Sequence, residues 1–175
     1  MLTGLRLVAA PAMAGLLISE QFLAAFGVFA FAGFTDVVDG WMAKRFGLSS
    51  DLGRVLDPAA DKTLMLAVFA VLALLGEVPL WLAVLVIGRD AAIVLGFVLA
   101  LAARKTLEIV PLAIGKLTTI LQVAYVALHL ASLAFDFSLE SIVPLDACAV
   151  AAVTLASWLS YGLVLVKAMG RAPAH

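Results

Sequence analysis

The sequence predicts an all-α polytopic membrane protein with six transmembrane helices, and three observations predict it. Hydrophobic residues make up 65% of the 175-residue chain and charged residues only 13%, whereas a soluble domain holds about half apolar and about a quarter charged residues. The excess, which lifts the mean hydropathy to +1.18, is gathered into long blocks, and a block of about 20 apolar residues crosses a bilayer. Basic residues then fall on alternate connections between the blocks, the pattern of a chain that keeps its Lys and Arg on the cytoplasmic face. The competing reading is a very apolar soluble helical bundle, and the length of the blocks weighs against it.

The segments follow in order. The first runs from about Leu2 to Ile18. It has small residues near Ala9–Ala14, but no basic region before the apolar run and no clear cleavage site, so it reads as a retained span rather than a signal peptide. The second starts near Gln21 and continues through Asp36 to Arg45, and the third runs from near Pro58 to Leu75. The fourth covers Leu80 to Ala103, the fifth Leu112 to Phe135 and the sixth Val143 to Met169. Turn chemistry marks the breaks at Ser19-Glu20, at Gly76-Glu77-Val78-Pro79 and between Asp136 and Pro144. Residues 1–175 read as a single membrane domain.

Six spans put both ends on one side. Arg6, Lys44, Arg45, Arg54, Lys62, Arg104, Lys105, Lys116, Lys167 and Arg171 all fall there, while the opposite connections carry Glu20, Glu77, Asp136 and Glu140 and no Lys or Arg. This predicts an inner-membrane protein with both termini in the cytoplasm. A net charge of −1 gives no pull toward nucleic acid. Cys148, the single cysteine, has no internal disulfide partner and reads as a small packing residue in a helix. His129 reads as a helix-contact residue. Trp81 and Trp158 are either interfacial anchors or core.

The chemistry is carried by carboxylates. Asp36 and Asp39 stand three apart, and Asp57 and Asp61 four apart, spacings that put each pair on one helix face. A connection of roughly a dozen residues is expected to bring the two helices together. Ionised carboxylates are costly near hydrocarbon and repel one another. Divalent metal resolves both problems, because hard oxygen ligands suit Mg²⁺, Mn²⁺ or Ca²⁺, and a two-metal site clamps the attacking and leaving oxygens of phosphoryl transfer. Solvated loop charges paired with Lys44, Arg45, Arg54 and Lys62 are the plainer alternative.

These residues resemble the signature of the CDP-alcohol phosphatidyltransferases, D-x-x-D-G-x-x-A-R, eight residues, then G-x-x-x-D-x-x-x-D. The chain reads Asp36-Val-Val-Asp39-Gly40-Trp-Met-Ala43-Lys44, eight residues, then Gly53-Arg-Val-Leu-Asp57-Pro-Ala-Ala-Asp61. The one departure is Lys44 in place of Arg, with Arg45 following at once; only Arg can fork onto phosphate. The usual P-N-x-L-T start is represented by Leu2-Thr3 and Arg6. The resemblance implies that Asp36, Asp39, Asp57 and Asp61 hold two divalent ions, Mg²⁺ or Mn²⁺, with Asp61 also the general base on the acceptor hydroxyl. It implies a nucleotide site at Gly40, Ala43 and Gly53, where lack of bulk allows close approach, with Lys44 or Arg45 supplying positive charge. It further implies CDP-diacylglycerol as donor, CMP as leaving group, an active site on the cytoplasmic side and a homodimer.

The acceptor depends on residues outside the signature. Arg89 lies mid-segment in Ile87-Gly88-Arg89-Asp90 and, as an intramembrane Arg, is a candidate to hold an acceptor phosphate; an ion pair with Asp90 is its alternative. Lys116, in Gly115-Lys116-Leu117-Thr118-Thr119, is a second phosphate candidate or a positive-inside anchor. Gln122 serves either packing or ligand. Phosphatidylglycerophosphate synthases typically have G-R-E, a second Arg and G-K-x-K-T; CMP-forming cardiolipin synthases typically have R-D and a neutral residue before that Thr. The second pattern is nearer, and few cations suit a singly charged phosphodiester. Phosphatidylglycerol is therefore the favoured acceptor, glycerol 3-phosphate the runner-up and inositol phosphate a third. A divalent-cation transporter is the reading from another class, since intramembrane carboxylates also mark ion pathways. Its sites tend to lie at the midplane, whereas these acids cluster at cytoplasmic helix ends.

Overall fold

The computed structural model describes the backbone of residues 2–46, 51–102, 113–139 and 143–170, and side chains within 9–35, 38, 62–95, 113–139 and 144–163. Those residues form six helices: α1 (Leu2–Ile18), α2 (Phe22–Phe46), α3 (Asp51–Leu74), α4 (Leu80–Ala102), α5 (Ala113–Phe135) and α6 (Val143–Gly170). No strand occurs among the described residues. Five helices begin within a residue or so of the expected positions, and α3 does not. It starts at Asp51 rather than near Pro58. Pro58 was expected at a helix start, where its missing N–H costs nothing, but it sits inside α3. Helix is thereby described up to Phe46 and again from Asp51, closer in sequence than the expected connection of a dozen residues.

The helices gather into two packing units. The first contains Met1–Pro79 and Val126–Glu140, and α1 packs in it against both α3 and α2. Ala10, Met13 and Leu17 are its buried residues on α1, at spacings of three and four, the interval that lines one helix face. Leu64, Met65, Val68, Phe69 and Leu72 form the matching stripe on α3. The ring of Phe26 on α2 meets Phe135 at the end of α5 edge to face, with centroids 5.5 Å apart. The second unit contains Leu80–Tyr125 and Ser141–His175, where α4 packs against α6.

Three helices of the first unit end in the same way. Glu20, Gly76 and Asp136 adopt φ of 56°, 81° and 53°. Behind each, an amide reaches back five residues: Gln21 N–H to the Leu16 carbonyl at 2.9 Å, Glu77 to Leu72 at 3.0 Å and Phe137 to Ser132 at 3.2 Å. These are Schellman caps, which satisfy helix carbonyls that would otherwise be orphaned. A Cβ on Gly76 would meet nothing within 4 Å, so only the backbone conformation requires glycine there. Gly76→Ala is therefore expected to lose about 1 kcal/mol, and Gly76→Asn less, as measured by thermal unfolding in detergent.

Polarity departs from that of a soluble bundle. Arg89, Asp90, Thr118, Gln122, His129, Thr154 and Ser157 are buried, while large apolar side chains face outward, Leu74 at 82% exposure and Leu159 at 71% among them. The expected lipid setting would account for both halves of this pattern, since polar side chains in lipid turn to helix contacts. Ala113–Phe135 and Pro144–Leu163 are long and apolar enough to cross a membrane; among the described residues Ala9–Ile18, Phe22–Thr35 and Lys62–Leu74 are shorter apolar stretches. Trp81 and Trp158 are exposed and not core. Cys148 is also exposed, a correction to its expected packing role. It lies next to the buried stripe of Ala147, Val150, Ala151 and Thr154, and one residue of offset turns a helical side chain by about 100°.

Candidate functional sites

The carboxylate signature falls on two consecutive helices. Asp36, Asp39, Gly40, Ala43, Lys44 and Arg45 belong to α2, and Gly53, Asp57 and Asp61 to α3. The side chains of these nine residues lie outside the described residues. The backbone around them is helical, so Asp36 and Asp39 share a face of α2, and Asp57 and Asp61 a face of α3. The early start of α3 matters here, because it puts Gly53 and Asp57 inside the helix with Asp61. Thr35, just before the first acid, turns its hydroxyl back onto the Ala32 carbonyl at 2.9 Å.

The second cluster lies in the other unit and is described to the atom. Arg89 and Asp90 are 3% and 5% exposed and lie on the buried stripe of α4 with Leu82, Ala83 and Val86. Arg89 Nη1 donates to Asp90 Oδ1 at 2.5 Å, and Nη2 donates to Ser157 Oγ on α6 at 2.8 Å. The guanidinium also stands over the Tyr161 ring, 5.5 Å from its centroid, a favourable place for a cation. Nε has no hydrogen-bond partner among the described residues. Burying a guanidinium alone costs several kcal/mol, roughly, so the acid beside it is what permits an arginine here. The alternative weighed for Arg89, an ion pair with Asp90, is therefore present, and Nε remains as a donor for something else.

The start of α5 closes on this cluster through Gly115. A Cβ at that position would stand 2.8 Å from Tyr161 Oη, 3.2 Å from Tyr161 Cε2 and 3.4 Å from Arg89 Nη2. Gly115→Ala should displace the Tyr161 ring and cost about 1 kcal/mol. In a Tyr161→Phe background, without the hydroxyl, most of that cost should vanish, which a double-mutant cycle of melting temperatures would show. Lys116, the next residue, is exposed. Further along, Thr118 Oγ1 donates to the Ile114 carbonyl at 2.8 Å and lies 3.3 Å from the Val153 carbonyl, and Gln122 Nε2 approaches Thr154 Oγ1 at 3.4 Å. Gln122 thus serves the contact between α5 and α6.

Ser157 and Tyr161 were not expected from the sequence. The available signal was the series Thr154, Ser157 and Tyr161, whose spacings of three and four put the hydroxyls on one face of an otherwise apolar helix.

Comparison with known proteins gives this arrangement a family. The family model for CDP-alcohol phosphatidyltransferase matches residues 1–165. A human protein named cardiolipin synthase (CMP-forming) is 32% identical over 177 residues, covering 92% of this chain and 59% of that protein. A Mycobacterium tuberculosis protein named probable phosphatidylglycerophosphate synthase is 32% identical over 123 residues, covering 70% of this chain and 57% of its own length. A Schizosaccharomyces pombe protein named cardiolipin synthase (CMP-forming) / mitochondrial hydrolase fusion protein is 50% identical over 94 residues, 54% of this chain and 16% of that protein. The chain thus spans less than two thirds of the length of these relatives. The match runs through both acid-bearing helices and on to Tyr161, and the chain belongs to the CDP-alcohol phosphatidyltransferase family.

Proposed function

We propose that the chain is a metal-dependent membrane enzyme that transfers a phosphatidyl group from CDP-diacylglycerol to phosphatidylglycerol, forming cardiolipin and releasing CMP. One observation carries this reading: seven of the eight specified signature residues between Asp36 and Asp61, with Lys44 in place of the eighth, occur in register on the helical backbone of two consecutive helices. The donor set fits divalent cations, since four carboxylates supply hard oxygens and their helical spacing directs each pair one way. Asp36, Asp39, Asp57 and Asp61 would hold the ions. Two bound ions, Mg²⁺ or Mn²⁺, would neutralise the pyrophosphate and favour loss of CMP.

The chain's own residues do the rest. Asp61 accepts the proton of the acceptor hydroxyl, whose oxygen then bonds to the lipid-bearing phosphorus as the bond to CMP breaks. Gly40, Ala43 and Gly53 leave room for the nucleotide, and Lys44 or Arg45 answers its charge. Arg89 receives the acceptor's phosphate, with Lys116 contributing at the start of α5. Phosphatidylglycerol fits because the Arg89 charge is already offset by Asp90, so a singly charged phosphodiester meets it better than a dianion. Glycerol 3-phosphate is the second reading, supported by the name of the Mycobacterium tuberculosis relative. The remaining parts of the proposal are six spans, an inner-membrane location with the termini and the site on the cytoplasmic side, and a homodimer.

The test is an acceptor panel with purified protein and CDP-diacylglycerol: phosphatidylglycerol, glycerol 3-phosphate and inositol phosphate, with products identified by mass. CMP release should need Mg²⁺ or Mn²⁺ and stop on chelation. Absence of CMP with every acceptor would defeat the enzyme reading, and metal uptake into proteoliposomes would point to transport instead.

A further inference from the structure

We propose that Ser157 and Asp90 are positioning residues that set which charge class of acceptor Arg89 accepts; this rests on the phosphatidyl-transfer reading and names the selectivity device within it. Arg is valued at phosphate sites because its planar group can present two parallel donors to one anion. Here each terminal nitrogen has one of its two N–H groups committed. Nη1 is held by Asp90 Oδ1 at 2.5 Å and Nη2 by Ser157 Oγ at 2.8 Å. The Tyr161 ring covers one face of the group at 5.5 Å. What remains is one N–H on each terminal nitrogen together with Nε–H, Nε being the one nitrogen of Arg89 without a hydrogen-bond partner among the described residues. A buried donor in that condition is costly until an acceptor arrives.

The anchoring also removes charge. Asp90 is as buried as Arg89, so the pair approaches an anion as a dipole rather than a full cation. A phosphodiester, with one negative charge, can be held by the Nε edge. A phosphomonoester, with close to two charges and three oxygens, is better matched by a guanidinium with more of its five N–H donors free and its charge not offset. Ser157 and Asp90 therefore act through Arg89, by orienting it and by limiting what it offers.

The experiment measures kcat and KM for phosphatidylglycerol and glycerol 3-phosphate with purified full-length wild type, Ser157→Ala, Ser157→Thr and Asp90→Asn. Freeing Nη2 in Ser157→Ala should shift the ratio of kcat/KM values toward glycerol 3-phosphate by about tenfold, the value of one charged hydrogen bond. The change should lie in the acceptor KM, with the KM for CDP-diacylglycerol unmoved. Ser157→Thr keeps a hydroxyl and should keep the wild-type ratio. Asp90→Asn, which restores positive charge, should shift the ratio in the same direction as Ser157→Ala. Should Asp90→Asn fail to fold, Ser157→Ala decides alone. An unchanged ratio in an active Ser157→Ala protein overturns the proposal, as does a wild type that already prefers glycerol 3-phosphate; both leave phosphatidyl transfer standing. No CMP from wild type with any acceptor removes the underlying reading instead.

Discussion

Asp61→Asn should lower CMP release by about 10²- to 10⁴-fold, the usual contribution of a positioned base, while the protein still folds and binds cytidine nucleotide. Asparagine keeps the shape and one ligand oxygen but cannot take a proton at neutral pH. Asp61 lies on α3 one turn beyond Asp57, about 6 Å along the axis, so the same helix face can present one acid to the ions and the next to the acceptor. Single-turnover CMP release and calorimetric CDP binding would separate the two functions. Wild-type turnover by this variant would remove Asp61 as the base, whatever its part in holding metal.

Arg89→Ala should have two effects that a second substitution pulls apart. The acceptor KM should rise by about one to two orders of magnitude, with the KM for CDP-diacylglycerol little changed, as expected when a charged hydrogen bond to one substrate is lost. Stability should also fall, by about 3 kcal/mol, because Asp90 is left buried without its guanidinium. Adding Asp90→Ala should recover much of the stability and none of the acceptor binding. Thermal unfolding in detergent and acceptor titration would show it. If the double variant regains acceptor affinity, Arg89 is a structural partner of Asp90 and not part of the acceptor site.

The fold was legible where turn chemistry coincided with the end of an apolar run. Leu2–Ile18 is one such case, closed by the Ser19-Glu20 turn, and Phe135 before Asp136 is another. It was less legible at the charged start of α3. There Asp51 and Arg54 have the composition of a loop, and Pro58 looks like a helix start, yet helix runs through all three. Local composition reads as polarity, and these residues are helical in spite of it. For the sites, the acids and Arg89 stood out because an ionised group in an apolar run needs a reason. Ser157 and Tyr161 did not stand out, since a hydroxyl on a spanning helix can satisfy itself on its own backbone, as Ser160 does on the Ala156 carbonyl at 2.8 Å. Only the neighbouring helix shows which hydroxyls face a charge.

The outward placement of Leu74, Leu145 and Leu159 changes what unfolding means for this chain. In the proposed six-span arrangement those side chains gain nothing by leaving their lipid surroundings, so the ordinary solvent drive toward a compact state is absent between helices. Separated helices, and not an open coil in water, become the state against which the assembled protein competes. Urea then has little new surface to wet, and lipid chain length and detergent micelle size become the variables that hold the assembly together or dissolve it.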